Sequence, residues 1–543
     1  MLEDIDPRKI EDPKIRADME LTLNIVQTQY EEVSFLRIEN QQLRDEIRRL
    51  KGEQGKPTIR PQSKGNISSE KERHVPKNNH KGPKQHKIKI DRHEYLEIDK
   101  RTLPADAKFS GYEEVVVQDL KIEPDNICFH KAKYYSPGEH KTYLASLPVG
   151  YRGQYGPALK SYVLSSYFEG NMSQPKIRQV LLGVGLEISY GQISAWLKEH
   201  EEGIFTAEKE EIFQAGLSSS EYQQIDTTST RVDGQNNYCQ IICNPLYSAY
   251  HTGPHRDREG VIKALTNNDA LDYLLNEQSY IWLEQMEVAA KWQDKLVPFN
   301  RDTAYSEREI DGILDELGGL GKQARHNIKG GLALSGYHAQ TRWPRPQILV
   351  ADDAKEFKLV AAVGLCWIHE GRHYTRLLPQ VAHLREIYQA FMTQFWAYYR
   401  KLVAYRQKPS REDAQKLREE FEEIFSQKTG YTGLDRQIAL TFAKKEELLL
   451  VLDFAQIPVH NNASELAARA RVRKRDVSFG PRSEKGAKGW DTIMTVVETA
   501  HKLGVSVSAY IFDRVSGTMA LPSLASLITK RASELIAPLP AAP

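Results

Sequence analysis

Apolar residues recur at heptad spacing over residues 16–52. With Val33 at position a, Val26, Asn40 and Ile47 share that position, and Leu36, Leu43 and Leu50 fill position d. Glu32, Glu39 and Glu46 then stand at g, ahead of Arg37, Arg44 and Lys51 at the following e positions. That is the charge pairing of a parallel two-stranded coiled coil, with one buried Asn fixing its register. A lone amphipathic surface helix would leave the charge pattern unexplained. Residues 93–150 carry short alternating runs, Glu113–Val117 and Lys141–Leu144, that predict a small β-rich module. In the region 151–216, Ser173 caps a helix with Pro175 in its first turn and Ile177, Val180, Leu181 and Val184 on one face. Gly183 and Gly185 end it, Ser189 caps the next, and Ile193, Trp196 and Leu197 line that one. Two short helices about a tight turn resemble a helix-turn-helix, and helical hairpins are also common without DNA.

From residue 220 to 515 the pattern changes. Glu221–Ile225 reads as a strand running into Asp226, Tyr238–Cys243 as a second and Leu246–His251 as a third, with a helix starting near Asp257. Residues 268–340 read as an inserted helical segment. Gln347–Ala351 reads as a buried strand ending in Asp352, and long amphipathic helices fill 376–453, where Leu384, Ile387, Phe391, Phe395 and Leu402 keep one face. Residues 516–543 read as a C-terminal tail.

Length adds that 543 residues exceed one core and divide into about three to five units. The formal charge of +1 conceals a basic stretch: residues 51–92 hold twelve Lys or Arg against four Asp or Glu. With few apolar side chains, residues 53–92 read as a flexible tether whose charge favours DNA through counterion release. Four cysteines make no disulfide framework and suit a reducing cytosol. No run of about 18 apolar residues predicts a membrane span.

The candidate chemistry lies in acids beside buried strands. A carboxylate placed there costs desolvation unless it is paired or bound to metal, and this singles out Asp226 and Asp352. Two hard divalent ions about 4 Å apart, held by carboxylate oxygens, can drive phosphoryl transfer without a protein nucleophile. Glu465 opens a helix that continues through Arg469, Arg471, Arg473, Lys474 and Arg475. A carboxylate in that first turn could reach a metal while its neighbours hold phosphates, and a plain capping acid would look the same. Cys366 and His369, with His373, offer three ligands at helical spacing but no fourth; zinc is not expected, and helix packing or DNA contact is preferred.

The segments Ile225-Asp226-Thr227 through Gly234, Asp352-Asp353-Ala354-Lys355-Glu356-Phe357, and His460-Asn461-Asn462-Ala463-Ser464-Glu465 resemble the three acidic motifs of Asp-Asp-Glu transposases of the insertion sequence 66 type. Cys366-x-x-His369 resembles a further motif of that group. The resemblance runs over residues 93–515 and sets the catalytic acids at Asp226, Asp352 and Glu465, with Asp352 rather than Asp353 in register. It implies a multidomain α+β chain: coiled coil, small β module, helix-turn-helix, and a ribonuclease-H-like α/β core with helical insertions. It also implies two magnesium or manganese ions on the three acids, cleavage at transposon ends and joining of a 3′-hydroxyl to target DNA. A homodimer or higher oligomer, accessory transposition proteins and a bacterial, nucleoid-associated setting go with it. Lys176, Arg178, Gln192, Arg469, Arg473, Lys474 and Arg475 become candidate DNA contacts. Relatives often carry a Cys-x-x-Cys zinc module ahead of the helix pair; only Cys128 stands in that region here. An architectural DNA-binding protein with an inert core, or a nuclease of the same fold, remains open on the sequence.

Overall fold

The computed structural model describes residues 5–536 apart from 51–89, 105, 152, 199–202, 361 and 378. The basic tether at 53–92 therefore falls almost wholly outside the described residues, as does Lys51. In chain order the main elements are α1 (Pro13–Leu50), β1 (Lys133–Ser136), β2 (Lys141–Leu144), α2 (Pro157–Phe168), α3 (Gln174–Gly183), α4 (Tyr190–Leu197), α5 (Ile204–Ser218), β3 (Tyr222–Val232), β4 (Gln235–Asn244), β5 (Tyr247–Gly253) and α6 (Arg258–Leu265). They continue with α7 (Ser279–Gln285), α8 (Ala290–Leu296), α9 (Glu307–Leu317), α10 (Lys322–Ala339), β6 (Ile348–Ala351), β7 (Ala362–Leu365), α11 (Trp367–Tyr374), α12 (Ala382–Tyr405), α13 (Arg411–Ser426) and α14 (Thr432–Phe442). The last four are α15 (Asn462–Ser478), α16 (Glu484–Lys502), α17 (Val507–Ser516) and α18 (Leu524–Ile536). The chain is a mixed α+β protein, mostly helical.

The five-stranded sheet runs β5-β4-β3-β6-β7. β3, β4 and β5 form an antiparallel meander, while β6 and β7 run parallel to β3. β6 is apolar throughout because both of its faces are covered. Leu349 and Ala351 enter the core made by α5, α6 and α16, whereas Ile348 and Val350 enter a second core with Trp367, Phe395, Tyr398 and Phe421. The strand period of two thus joins two hydrophobic cores across one sheet.

α1 shows why its heptads read as they do. Leu23 and Gln27 are buried against the α12–α14 lobe. Asn24 bonds Gly430 and Thr432, the Gln27 side-chain Oε1 accepts from the Gln380 backbone N–H, and Glu31 accepts from the Tyr431 hydroxyl. These residues lie on the e, b and f positions, the back of the helix. Its a and d residues Val33, Leu36, Leu43 and Ile47 are each roughly half exposed.

Two expectations are corrected. The 93–150 segment is not β-rich: Glu113–Val117 forms no strand and Val115 is exposed, leaving the β1–β2 hairpin as the regular β structure there. Alternation in that segment has no facing sheet to bury against. Of the expected tail at 516–543, the described residues 516–536 do not trail: α18 packs on α5 and buries Leu524, Ile528 and Ala532.

Candidate active site

Asp226 does not end its strand; it is the fifth residue of β3. What ends beside it is the neighbouring strand. β3 pairs with β6 at Tyr222–Ile348, Gln223–Leu349 and Gln224–Val350. Two residues beyond the last pair, the same register sets Asp226 level with Asp352, on adjacent strands about 4.8 Å apart and on one face of the pleat. Asp352 caps its own loop, its Oδ1 accepting from Ala354 N–H at 3.1 Å.

Glu465 reaches this place through α15, which lies on β3. The segment before the helix is stitched to the strand on either side of Ile225. The Gln224 amide donates to the His460 carbonyl at 2.8 Å, and the Asn461 amide donates to the Ile225 carbonyl at 2.6 Å. From below, Trp367 N–H donates to Val459 O and Asn461 N–H to the Cys366 sulfur, both within 3.2 Å. Two guanidiniums flank the carboxylate: Arg372 at 3.2 Å and Arg469, one turn on, at 3.6 Å.

The three acids share one electrostatic environment. Burial pushes the Asp226 carboxyl up to about 7, and the charges of Asp352 and Glu465 push the same way, against a backbone hydrogen bond from Thr227 and the more distant Arg256. A cluster of like charges with too little compensation is what a bound cation would relieve. Orphaned atoms point to the same place: Glu465 Oε1, Asn461 Oδ1 and His369 Nδ1 are buried without hydrogen-bond partners. The residues present therefore fit a hard divalent ion.

Asp353 is differently employed. Lys444 holds its carboxylate at 2.7 Å and the buried Glu370 at 2.9 Å, and Glu370 also accepts from Thr441. Asp353 is thereby tied to the helical lobe, while Asp352 faces its own loop through Ala354 N–H. The two adjacent acids thus have different partners.

Cys366 caps α11, and its sulfur, a His369 ring nitrogen and a Glu465 oxygen lie within 4.8 Å of one another. His373 is not in that group; Glu370, Lys444 and Asp353 surround it instead. Burial pushes the Cys366 thiol up to about 12, so it meets Asn461 N–H as a neutral thiol. His369 lies 3.0 Å from Arg372 Nη1 and 3.6 Å from Glu465 Oε1, and burial lowers its pKa.

The helical period splits the basic run of α15. Glu465, Arg469 and Arg473 share an outward side, and Arg473 is exposed. Lys474 is corrected: it is buried against the face of Tyr167, beside Trp490, donates to the Tyr167 carbonyl, and its pKa falls with burial to about 7. Its work is to join α15 to α2, not to meet phosphate. Arg475 is half buried and donates to the Ser229 carbonyl at 2.6 Å. In the helix pair, Lys176 is exposed, whereas Arg178 donates to Ile188 O and covers the Tyr190 ring, closing the turn. Gln192 is partly buried, its N–H capped by the Ser189 hydroxyl. Ile177 and Leu181 are buried but Val180 is exposed, so the packed face is narrower than the pattern suggested. Arg372, Asn461 and Gln224 were not among the sequence candidates. Arg372 lies three residues after His369, the helical spacing that sets both beside Glu465.

Part of the chain is similar to known proteins. A protein of Sinorhizobium fredii, named as the uncharacterized protein y4jO, is 28% identical over 338 aligned residues that cover 59% of this chain and all of the relative. No solved structure matches. The profile described as "Transposase IS66 family" matches residues 270–489, a span that contains Asp352, Cys366, His369 and Glu465 and begins after Asp226. Across residues 270–489 the chain is similar to the transposase IS66 family.

Proposed function

We propose that this chain is a DNA transposase that cleaves at transposon ends and joins the resulting 3′-hydroxyl to target DNA, with Asp226, Asp352 and Glu465 as its metal-binding acids. The observation that carries this reading is the convergence of the three carboxylates beside orphaned buried oxygens, where burial first and the charges of Asp352 and Glu465 after it push Asp226 up to about 7. The sheet order β5-β4-β3-β6-β7, an antiparallel meander followed by two parallel strands, supports a ribonuclease-H-like core with α7–α10 and α12–α14 as insertions.

Two magnesium or manganese ions held by the three acids would supply activation of the attacking oxygen and stabilisation of charge on the leaving one. The chain's own residues do the rest. Asn461 and Gln224 fix the start of α15 against β3, so that Glu465 faces the strand acids. Arg372 and Arg469 orient its carboxylate and, facing outward, attract the phosphate backbone. Lys444 withholds Asp353 from the cluster. The half-exposed a and d residues of α1 would pair two protomers as a coiled coil, as the bringing together of two ends requires. The α3–α4 hairpin, with Lys176 outward, would contact end DNA.

The test uses DNA carrying the inverted repeats that flank the gene. Purified protein with magnesium is expected to yield covalently joined end–target products on a gel; retention of the ends with no cleavage or joining under any divalent ion would overturn the reading. Within it, Asp353→Asn removes a half-exposed ion pair of about 1 kcal/mol and is expected to keep joining within about tenfold of wild type. A loss as deep as that of Asp352→Asn would show the two acids in the opposite roles.

A further inference from the structure

One side chain at the far end of α15 is displayed where folding alone would hide it. Phe479 is 87% exposed, about twice as far out as Leu466 and Val477, the other exposed large apolar residues of the helix it follows, at 38% and 42%. It caps the helix in the left-handed region, φ 59° and ψ 17°, which strains any residue bearing a Cβ and is usually left to glycine. The strain is held in place from behind. Gly480, also left-handed, sits so close to the β3–β4 hairpin that a Cβ there would lie 2.7 Å from the Arg231 carbonyl. Asp233 N–H donates to the Pro481 carbonyl at 3.1 Å, and Arg475 grips the Ser229 carbonyl, two residues back along β3 from Arg231. A rigid mount thus presents an aromatic ring to solvent.

The surface around the ring is basic. Arg231 on the hairpin and Arg473, Arg482 and Lys485 on the chain are exposed, and Arg475 is partly so. Asp233, Asp476 and Glu484 share the surface and leave an excess of positive charge. Aromatic rings among phosphate-binding cations are how proteins stack on, or wedge between, nucleic-acid bases. Fourteen residues of helix separate Phe479 from Glu465, about 21 Å, or about six base steps at 3.4 Å.

We propose that Phe479 is a DNA wedge: it stacks on or inserts beside a base of the transposon end, unstacking the duplex several steps from the phosphate that would react beside the three acids. The inference rests on the transposase reading for its substrate. The strained cap and the hairpin mount keep the ring out of the protein so that DNA can cover it.

The test is duplex end DNA with 2-aminopurine placed in turn at each position within about eight nucleotides of the cleavage site. Wild type is expected to raise the fluorescence at one or two positions, Phe479→Ala to abolish that rise and lower cleavage by about tenfold or more, and Phe479→Trp to retain both. Phe479→Gly relieves the left-handed strain, so it is expected to melt no lower than wild type while behaving like Phe479→Ala on DNA. Equal 2-aminopurine signals in wild type and Phe479→Ala would overturn the wedge. So would a Phe479→Ala protein of reduced oligomeric mass with unchanged signals, since the ring would then cover a second copy of the chain. Wild-type protein that joins ends while showing no unstacking loses only the wedge; a protein that joins nothing loses the transposase reading.

Discussion

Changing Asp226, Asp352 or Glu465 singly to its amide is expected to lower end joining by about a thousandfold or more, with end binding held within severalfold. An amide keeps the volume and removes the charge that a hard cation needs. The charge stabilisation it would supply is worth several kcal/mol in phosphoryl transfer, and each 1.36 kcal/mol is tenfold in rate. Stability gives the control that separates lost chemistry from lost folding. The Asp226 carboxyl, raised to about 7 by burial and by its two acidic neighbours, sits above its unfolded value. Its ionised form therefore weakens the metal-free fold, by an amount that grows as pH rises from about 4 to 7 and is full above that. Asp226→Asn removes the penalty. Without metal it is expected to melt higher than wild type at pH 8, and with no advantage below about pH 4. A variant that is dead in joining yet more stable has not misfolded. Wild-type joining in any of the three amides would remove that acid from the site, and a fall in melting temperature parallel to the fall in activity would remove the chemical explanation.

How far this site could be read in advance differs by residue. β6 is four apolar residues buried on both faces, and its end marks Asp352 by local pattern alone. Asp226 reads in the sequence as following a strand, but β3 runs on past it to Val232, and the strand end beside it belongs to β6. Glu465 stands 113 positions from Asp352, and the contacts that bring it home, Gln224 to His460 and Asn461 to Ile225, each span 236 residues. No periodicity within either segment records such a pairing, so resemblance to known motifs was needed. The basic run after Glu465 misled because charge was read without phase: at 3.6 residues per turn, Arg471 and Lys474 fall on the side opposite Arg469 and Arg473. The heptads of α1 were legible, but not that its back face docks on the α12–α14 lobe, since Asn24, Gln27 and Glu31 look like ordinary solvated residues until Gly430, Gln380 and Tyr431 meet them.

The buried side of α15 carries the second large effect. Arg471 is 1% exposed, its guanidinium 3.2 Å from Asp491 on α16 and 3.0 Å from the Thr252 hydroxyl, with Trp490 beneath it. Asp491 accepts in addition from Thr252 N–H at 2.7 Å and from its hydroxyl at 2.8 Å. Asp491→Ala would strand a buried guanidinium and an unpaired backbone N–H. The expected loss is about 3–5 kcal/mol of stability, the usual cost of removing one partner of a buried pair. Arg471→Met with Asp491→Asn removes both charges and keeps an acceptor for Thr252, and is expected to recover most of that loss. Activity need not follow stability. The pair lies six residues along the helix from Glu465, about 9 Å, and clamps α15 to β5 and α16. A displacement of about 1 Å in a reacting group can cost a hundredfold in rate. The refolded double variant is therefore expected to melt near wild type and still join ends more slowly, with undiminished affinity for them. Recovery of both together would make the clamp a matter of stability alone, and recovery of neither would mean that Thr252 and Trp490, rather than the ion pair, hold the helix in place.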